Sequence, residues 1–170
     1  AGPPPRRCER APPAFVGGTA LALSLLLFAV GGTLALLGLE GDTRVTAHYH
    51  GAVGAVTVAF MGLTYRLLPA LGLGEVPRRL ARLQVALYGG GLLLLVAGFS
   101  WAGAVGASRK AFESFSPDAA LWGITALVGL GALVTMAAGV AFAAAAGAAL
   151  WRHCGGARPA LEPQPPGPPR

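Results

Sequence analysis

The apolar positions of this chain fall into four long runs separated by short polar segments. No Asp, Glu, Lys or Arg occurs in residues 15–39, 51–65, 83–108 or 119–151. A helix needs roughly 20 mostly apolar residues to cross the hydrocarbon core of a bilayer. Three runs meet that length alone, and the second meets it if the helix extends across Arg66, whose long side chain can reach the interface. The pattern predicts an all-α integral membrane protein with four transmembrane helices, at about 15–39, 46–73, 83–107 and 119–151.

The two ends of the chain are rich in proline, glycine and arginine. We expect residues 1–13 and 153–170 to be disordered flanks of a four-helix membrane segment at 14–152. The first apolar run has 25 residues, longer than the roughly 7–15 of a signal peptide. Because the chain opens on Ala1 without an initiator Met, we expect a processed or a truncated start and favour a truncated piece of a longer protein. Cys8 and Cys154 lie in polar flanks and predict free thiols.

Charge is sparse and lies mostly on one side of the predicted membrane. Charged residues make up 12% of the chain, against about 25% in an ordinary soluble domain. The side that holds both termini and the middle loop carries ten basic residues: Arg6, Arg7, Arg10, Arg66, Arg78, Arg79, Arg82, Arg152, Arg158 and Arg170. The other side carries Arg44, Arg109 and Lys110. This positive-inside pattern predicts a multi-pass protein of the bacterial plasma membrane with both termini cytoplasmic. The net charge of +6 therefore requires no nucleic-acid partner.

Two of the three histidines stand two residues apart, in Ala47-His48-Tyr49-His50 at the start of the second helix. Ionisable groups at membrane depth are costly and usually functional, although such residues also occur at the headgroup level with no ligand role. Residues i and i+2 of an α-helix are separated by about 200°, so the two imidazoles point to opposite sides and cannot readily chelate one metal. They can instead bind two centres, and imidazole is a usual axial ligand of heme iron.

Arg109 and Lys110 follow the third helix on the same predicted side as the histidine pair. Adjacent cations suit carboxylate partners, and heme propionates are carboxylates. Ordinary interfacial loop cations are the alternative interpretation. Glu40, Asp42 and Asp118 share this side, and we interpret them as solvated or paired loop charges in preference to a site for a hard metal.

The sequence does not contain the residue patterns of a hydrolase triad, a phosphate-binding loop or a zinc site. The serines have no His and Asp arranged near them for a hydrolase triad. Glycine-rich stretches such as Gly31-Gly32 and Gly89-Gly90-Gly91 lie inside apolar runs, where they predict helix packing faces and not phosphate-binding loops. His153 and Cys154 are too few for a zinc site.

Two segments resemble subunit I of the heme-copper oxidases. The run from Asp42 to Pro69, with Ala47-His48-Tyr49-His50-Gly51 and the ending Tyr65-Arg66-Leu67-Leu68-Pro69, resembles the tenth helix of that subunit. The segment from Trp101-Ala102-Gly103 to Phe112 resembles its loop between helices eleven and twelve, where a Pro-Arg-Arg-Tyr-like motif contacts heme propionates. Ser108, Lys110 and Phe112 stand where the family has Pro, the second Arg and Tyr. The resemblance covers residues of about 15–150 and is most like the B-type branch.

The resemblance implies that the chain supplies the last four helices of a twelve-helix heme-copper oxidase bundle. His48 would ligate the iron of the high-spin heme, as a catalytic residue, and His50 the iron of the low-spin heme. Arg109 and Lys110 would contact the heme propionates. The implied cofactors are two hemes, plus copper whose ligands lie in earlier helices outside this chain.

The complete subunit would pass electrons from the low-spin heme to the high-spin heme and copper, and reduce oxygen to water with proton translocation. The implied partners are the N-terminal helices of the same subunit, subunit II or another electron-donor subunit, and cytochrome c or a similar donor. Without the copper ligands we expect this chain alone to be inactive. Two alternatives stay open: a fragment of a nitric oxide reductase catalytic subunit, and a non-enzymatic four-helix membrane accessory protein.

Overall fold

The computed structural model describes residues 14–37, 41–107 and 119–156, and its elements are four α-helices. They are α1 (Ala14–Leu36), α2 (Thr43–Ala70), α3 (Arg78–Ala104) and α4 (Ala119–Gly156). Each is long and apolar enough to cross a membrane. The described part of the chain is thus all-α with four candidate transmembrane helices, as the hydrophobic pattern predicts. The flank at 1–13, most of the predicted tail, and Arg109 and Lys110 lie outside the described residues.

The second helix begins at Thr43, and not at about 46, because Asp42 caps it. Asp42 has extended backbone, and its Oδ1 accepts a hydrogen bond of 2.8 Å from the Arg44 backbone N–H. This is the usual way to satisfy a free N–H in the first helical turn. The helix ends at Ala70, before the predicted 73, where Gly72 takes a φ of +72° and its N–H donates to the Pro69 carbonyl at 3.1 Å. A glycine in the left-handed region commonly ends a helix in this way.

The third helix differs more from its predicted range of 83–107. It begins at Arg78, directly after Pro77, whose carbonyl accepts from the Ala81 N–H at 3.0 Å. The absence of charged residues identifies only the apolar part of a helix. In α3 a polar first turn with arginines precedes that part. The helix ends at Ala104, before Gly106, which has a φ of +84°. The outer helices also shift: α1 ends at Leu36 and not at 39, and α4 continues past the predicted 151 to Gly156.

The two middle helices form the centre of the arrangement. α2 and α3 pack against each other, α1 packs on α2 and more lightly on α3, and α4 packs on α3 and touches α2. Within the described residues, α1 and α4 do not contact each other. Within the most apolar 18-residue stretch of each helix, the buried share is 44% for α2 and for α3, against 17% for α1 and 11% for α4. The outer helices therefore present wide apolar faces that the rest of the described chain leaves uncovered.

Glycines lie where the helices approach most closely. A Cβ at Gly31 of α1 would lie 2.8 Å from the Ala52 backbone nitrogen of α2, and one at Gly91 of α3 would lie 2.8 Å from the Thr135 nitrogen of α4. A Cβ at the adjacent Gly32 would meet nothing within 4 Å. The predicted packing role therefore holds for some glycines and not for their neighbours, since each helix turns only one face to its partner.

One buried polar cluster joins three helices. Gln84 of α3 is 2% exposed, and its Nε2 donates to the Ala138 carbonyl of α4 at 3.0 Å. Its Oε1 accepts from the Tyr65 hydroxyl of α2 at 3.1 Å. Burial of an amide without hydrogen-bond partners in apolar surroundings costs about 2–7 kcal/mol. These bonds therefore determine which side of α3 faces α2 and α4.

Candidate functional site

His48 lies near the start of α2 and is partly buried against α1. Its Nδ1 is 2.8 Å from the carbonyl oxygen of Gly31. The helices come this close because two glycines oppose each other, and a Cβ at Gly51 would lie 2.9 Å from the Gly31 Cα. The glycine seam therefore brings an α1 carbonyl within reach of the His48 ring.

His50 faces a different neighbour. Its Nδ1 is 2.8 Å from the Thr46 carbonyl oxygen, one turn earlier in α2, and its ring centroid lies 5.6 Å from that of Phe99 on α3. A groove of about 300 Å³ lies beside the ring between α2 and α3. Its lining residues are Tyr49, His50, Val53, Gly54, Thr57, Tyr88 and Leu92. The two histidines thus contact different helices, as their spacing predicts.

The hydrogen bonds determine which ring nitrogen of each histidine can bind a metal. A carbonyl oxygen only accepts, so Nδ1 of both His48 and His50 carries the hydrogen and donates it. The lone pair available for coordination is then on Nε2. Histidine ligands in metal proteins usually donate their other N–H to a backbone carbonyl or a carboxylate in this manner. Both side chains therefore fit the role of a single axial ligand to heme iron.

Chelation of a metal ion needs several ligands that meet at one point. Among the residues that the structure describes, no group of three His, Cys, Asp or Glu side chains is placed to hold an ion. A heme, by contrast, needs only one or two protein ligands.

The end of α3 packs against the start of α2. The Thr43 hydroxyl donates to the Phe99 carbonyl at 2.9 Å, and the Thr43 N–H donates to the Ala107 carbonyl at 3.3 Å. Ala107 is two residues before Arg109, the first of the predicted propionate contacts. Ala107 therefore lies at the same end of α2 as the histidine pair, and Arg109 and Lys110 lie outside the described part of the chain.

An ion pair lies at this same end. Arg44 Nε and Nη2 lie 2.7 and 2.6 Å from Asp42 Oδ2. The hydrogen bond from the Arg44 side chain holds the pKa of Asp42 below its ordinary value of 3.8. The pair rests on Gly103 of α3, where a Cβ would lie 2.5 Å from Arg44 Cγ. Asp42 is therefore engaged as a helix cap and ion-pair partner, and the other acids of this side, Glu40 and Asp118, lie outside the described residues.

Sequence reasoning did not identify three residues that shape this end of the molecule: Gly31, Phe99 and Gly103. Gly31 belongs to a recognised glycine pair, but nothing in the local pattern says that it, and not Gly32, faces His48. Gly103 is part of the quoted Trp-Ala-Gly segment, yet its function as a platform for the Asp42–Arg44 pair depends on how α3 meets α2. Each of these functions depends on contacts between residues distant in sequence.

Comparisons with known proteins add no identification. The chain matches no family model, no curated protein and no solved structure.

Proposed function

We propose that this chain is the heme-binding C-terminal part of subunit I of a heme-copper oxidase, the respiratory enzyme that reduces oxygen to water. The observation that carries the proposal is the arrangement of His48 and His50. They stand two residues apart on a helix of membrane-spanning length, His48 contacts α1 and His50 contacts α3, and each donates from Nδ1 to a backbone carbonyl. One short segment of backbone can then hold two hemes close enough for rapid electron exchange.

The chain would lie in a bacterial plasma membrane. Four helices of suitable length and hydropathy support multi-pass insertion. The excess of arginine on the side of the termini and the middle loop supports a cytoplasmic location for both. The chain would then be helices nine to twelve of the subunit, and the uncovered apolar faces of α1 and α4 would meet earlier helices or lipid.

Each residue of the candidate site would have a distinct role. His48 binds the high-spin heme iron and His50 the low-spin heme iron, each through Nε2. Gly31 fixes the ring of His48 through its carbonyl, and Phe99 packs beside His50. Arg109 and Lys110 pair with propionates near the start of α2. When bound, the two hemes would supply the electron path and, with copper held by earlier helices, the site of oxygen reduction.

The experiment is a reduced-minus-oxidised spectrum of membranes that contain the full-length gene product, recorded with and without carbon monoxide. We expect His48→Ala to remove the carbon monoxide-sensitive high-spin signal and His50→Ala to remove the low-spin band. His153→Ala changes the third histidine of the chain and is the control that should keep both signals. Immunoblots of the same membranes verify equal amounts of protein.

Three outcomes separate the proposal from its rivals. Unchanged heme content in both His48→Ala and His50→Ala would show that the pair is interfacial and would favour a membrane accessory protein. Non-heme iron in place of copper in the purified wild type would identify a nitric oxide reductase. Copper together with two distinct heme signals supports the oxidase.

A further inference from the structure

The three tryptophans of the chain, Trp101, Trp122 and Trp151, all lie close to helix ends. Trp101 is three residues before the end of α3, and Trp122 is three residues after the start of α4. Trp151 is five residues before the end of α4. The three residues are 51%, 71% and 80% exposed, respectively. Exposed tryptophan near the ends of a long apolar helix is typical of the two interfaces between a membrane and water.

Trp122 and Trp151 lie on one face of α4. They are 29 residues apart, and at about 100° per residue this separation returns to within about 20° of the same direction. The opposite side of α4 packs on α3, where the buried Ala138 accepts a hydrogen bond from Gln84. We call the outward face the α4 stripe. Between the two tryptophans it includes five exposed residues: Gly129, Leu133, Met136, Val140 and Ala144.

The length of the α4 stripe matches the thickness of a bilayer. At a rise of about 1.5 Å per residue, the 29 residues from Trp122 to Trp151 correspond to about 43 Å along the helix axis. A bilayer with its interfacial regions is about 40–45 Å thick. Both tryptophans can therefore lie at interfaces when α4 crosses the membrane with little tilt.

Close contacts determine how α3 and α4 are aligned. A Cβ at Gly98 would lie 3.2 Å from the Val128 nitrogen, and one at Gly91 would lie 2.8 Å from the Thr135 nitrogen. Seven residues towards the start of α3 thus correspond to seven residues towards the end of α4, so the two helices are antiparallel. By the same alignment, Trp122 is level with the last turn of α3.

Charged groups of the neighbouring segments lie at the levels of both tryptophans. The Asp42–Arg44 pair rests on the last turn of α3, at the level of the first tryptophan. Arg152 follows the second tryptophan directly, and its Nη2 donates to the carbonyl of the exposed Glu75 at 3.3 Å. Charged side chains are costly in the hydrocarbon core. These two levels therefore suit the two interfaces of a membrane, with the apolar part of the α4 stripe between them.

We propose that the α4 stripe faces lipid, with Trp151 at the cytoplasmic interface and Trp122 at the opposite one. A packed helix, from the same subunit or from a second copy, is a poorer occupant. It would cover tryptophans at both ends of the stripe, whose indole N–H groups need a polar partner that the interface supplies. α4 then lies at the perimeter of the complete bundle. This assignment rests on the proposed insertion in a membrane and does not depend on heme ligation.

The test is electron paramagnetic resonance of single nitroxide labels on the full-length gene product in phosphatidylcholine vesicles. Its own cysteines are first replaced by serine, and Gly129→Cys, Met136→Cys or Ala144→Cys is then introduced and labelled. Oxygen is apolar and concentrates in the hydrocarbon core, whereas a nickel chelate stays in water. Met136 lies midway between the two tryptophans. We therefore expect the highest ratio of oxygen to nickel accessibility at Met136, and lower, similar ratios at Gly129 and Ala144.

Ala138→Cys is the matched control, because Ala138 is 3% exposed and lies on the opposite side of the same helix. Its label should be poorly accessible to both reagents. The comparison among the three positions of the α4 stripe does not require this variant to fold.

The remaining outcomes have different meanings. Low accessibility to both reagents at all three stripe positions would show that protein covers the stripe and would overturn the assignment. Spin–spin broadening in the same samples would then identify a second copy of the chain as the cover. A maximal ratio at Gly129 or Ala144 would overturn the placement of the two tryptophans. High nickel accessibility at Met136 would instead place α4 in water and refute the proposed function.

Discussion

The imidazole of His48 donates from Nδ1 to the Gly31 carbonyl oxygen across a seam between α1 and α2, at 2.8 Å. Here the approach is possible because Gly31 and Gly51 meet without side chains. The orientation of a candidate heme ligand therefore depends on a residue 17 positions earlier in the chain.

Substitution of Gly31 should disrupt this relationship. A Cβ at Gly31 would lie 2.8 Å from the Ala52 backbone nitrogen, which cannot move aside as a flexible side chain can. We expect Gly31→Val to lower the free energy of unfolding by about 1–3 kcal/mol, the usual range for overpacking. The measurement is unfolding in mixed detergent micelles, followed by circular dichroism.

Gly32→Val is the control for this prediction, because it adds the same branched side chain to the same helix where nothing lies within 4 Å. In the full-length gene product, Gly31→Val should also reduce the high-spin heme signal, and Gly32→Val should leave it intact. Equal destabilisation by both variants would mean that α1 does not pack on α2 through Gly31.

The bond between Tyr65 and Gln84 should couple α2 to α3. The Tyr65 hydroxyl donates to Gln84 Oε1 at 3.1 Å, and both side chains are buried. We expect a double-mutant cycle of Tyr65→Phe and Gln84→Leu to give a coupling free energy of about 0.6 kcal/mol, and at most about 1.7, as measured for hydrogen bonds between membrane helices.

Thr64→Val provides the matched cycle with Gln84→Leu. Thr64 adjoins Tyr65 in sequence, but its hydroxyl donates to the Phe60 carbonyl of its own helix at 2.8 Å. The coupling in this second cycle should be close to zero. Similar values in the two cycles would contradict a specific bond between Tyr65 and Gln84.

The helices themselves could be predicted from the sequence because burial in an apolar medium excludes charge along whole runs. The positions of the helix ends cannot be predicted in this way, because the absence of charged residues does not locate the residues that cap a helix. Asp42 extends α2 by a side-chain bond to the Arg44 N–H, and Gly72 ends it through a positive φ. Aspartate before a helix and glycine after it are local signals, so the sequence at Asp42 and Gly72 carries the information for both ends.

The candidate site, too, could be predicted only in part. Helical periodicity alone predicts that His48 and His50 turn to different neighbours, because that angle depends only on local geometry. It cannot predict that Gly31 accepts from His48 or that Phe99 lies beside His50. Those contacts require the rotation of α1 and α3 about their axes, which is determined by packing over the full length of the helices.

The Asp42–Arg44 pair should make stability depend on pH. A carboxyl whose pKa is lower in the folded than in the unfolded protein stabilises fully above its ordinary pKa of 3.8, and that contribution is lost as pH falls through the folded value. Asparagine caps a helix about as well as aspartate, so Asp42→Asn removes the ion pair and keeps the cap. We expect wild type to melt at a higher temperature than Asp42→Asn at neutral pH, with the two curves converging in strong acid. A difference that persists unchanged at low pH would mean that the pair does not contribute.

The orientation of the helices can be tested with single cysteines. Cys8 and Cys154 are first replaced by serine, and Glu75→Cys or Val105→Cys is then introduced. Glu75 is exposed in the loop between α2 and α3, and Val105 is 56% exposed just after α3. The arginines around Glu75 predict a cytoplasmic loop, so a membrane-impermeant maleimide should label Val105→Cys in intact spheroplasts and Glu75→Cys only after permeabilisation. The cysteine-free protein is the control for background. Labelling in the reverse order would place the histidine end of α2 in the cytoplasm, on the side opposite to the one that the oxidase proposal requires.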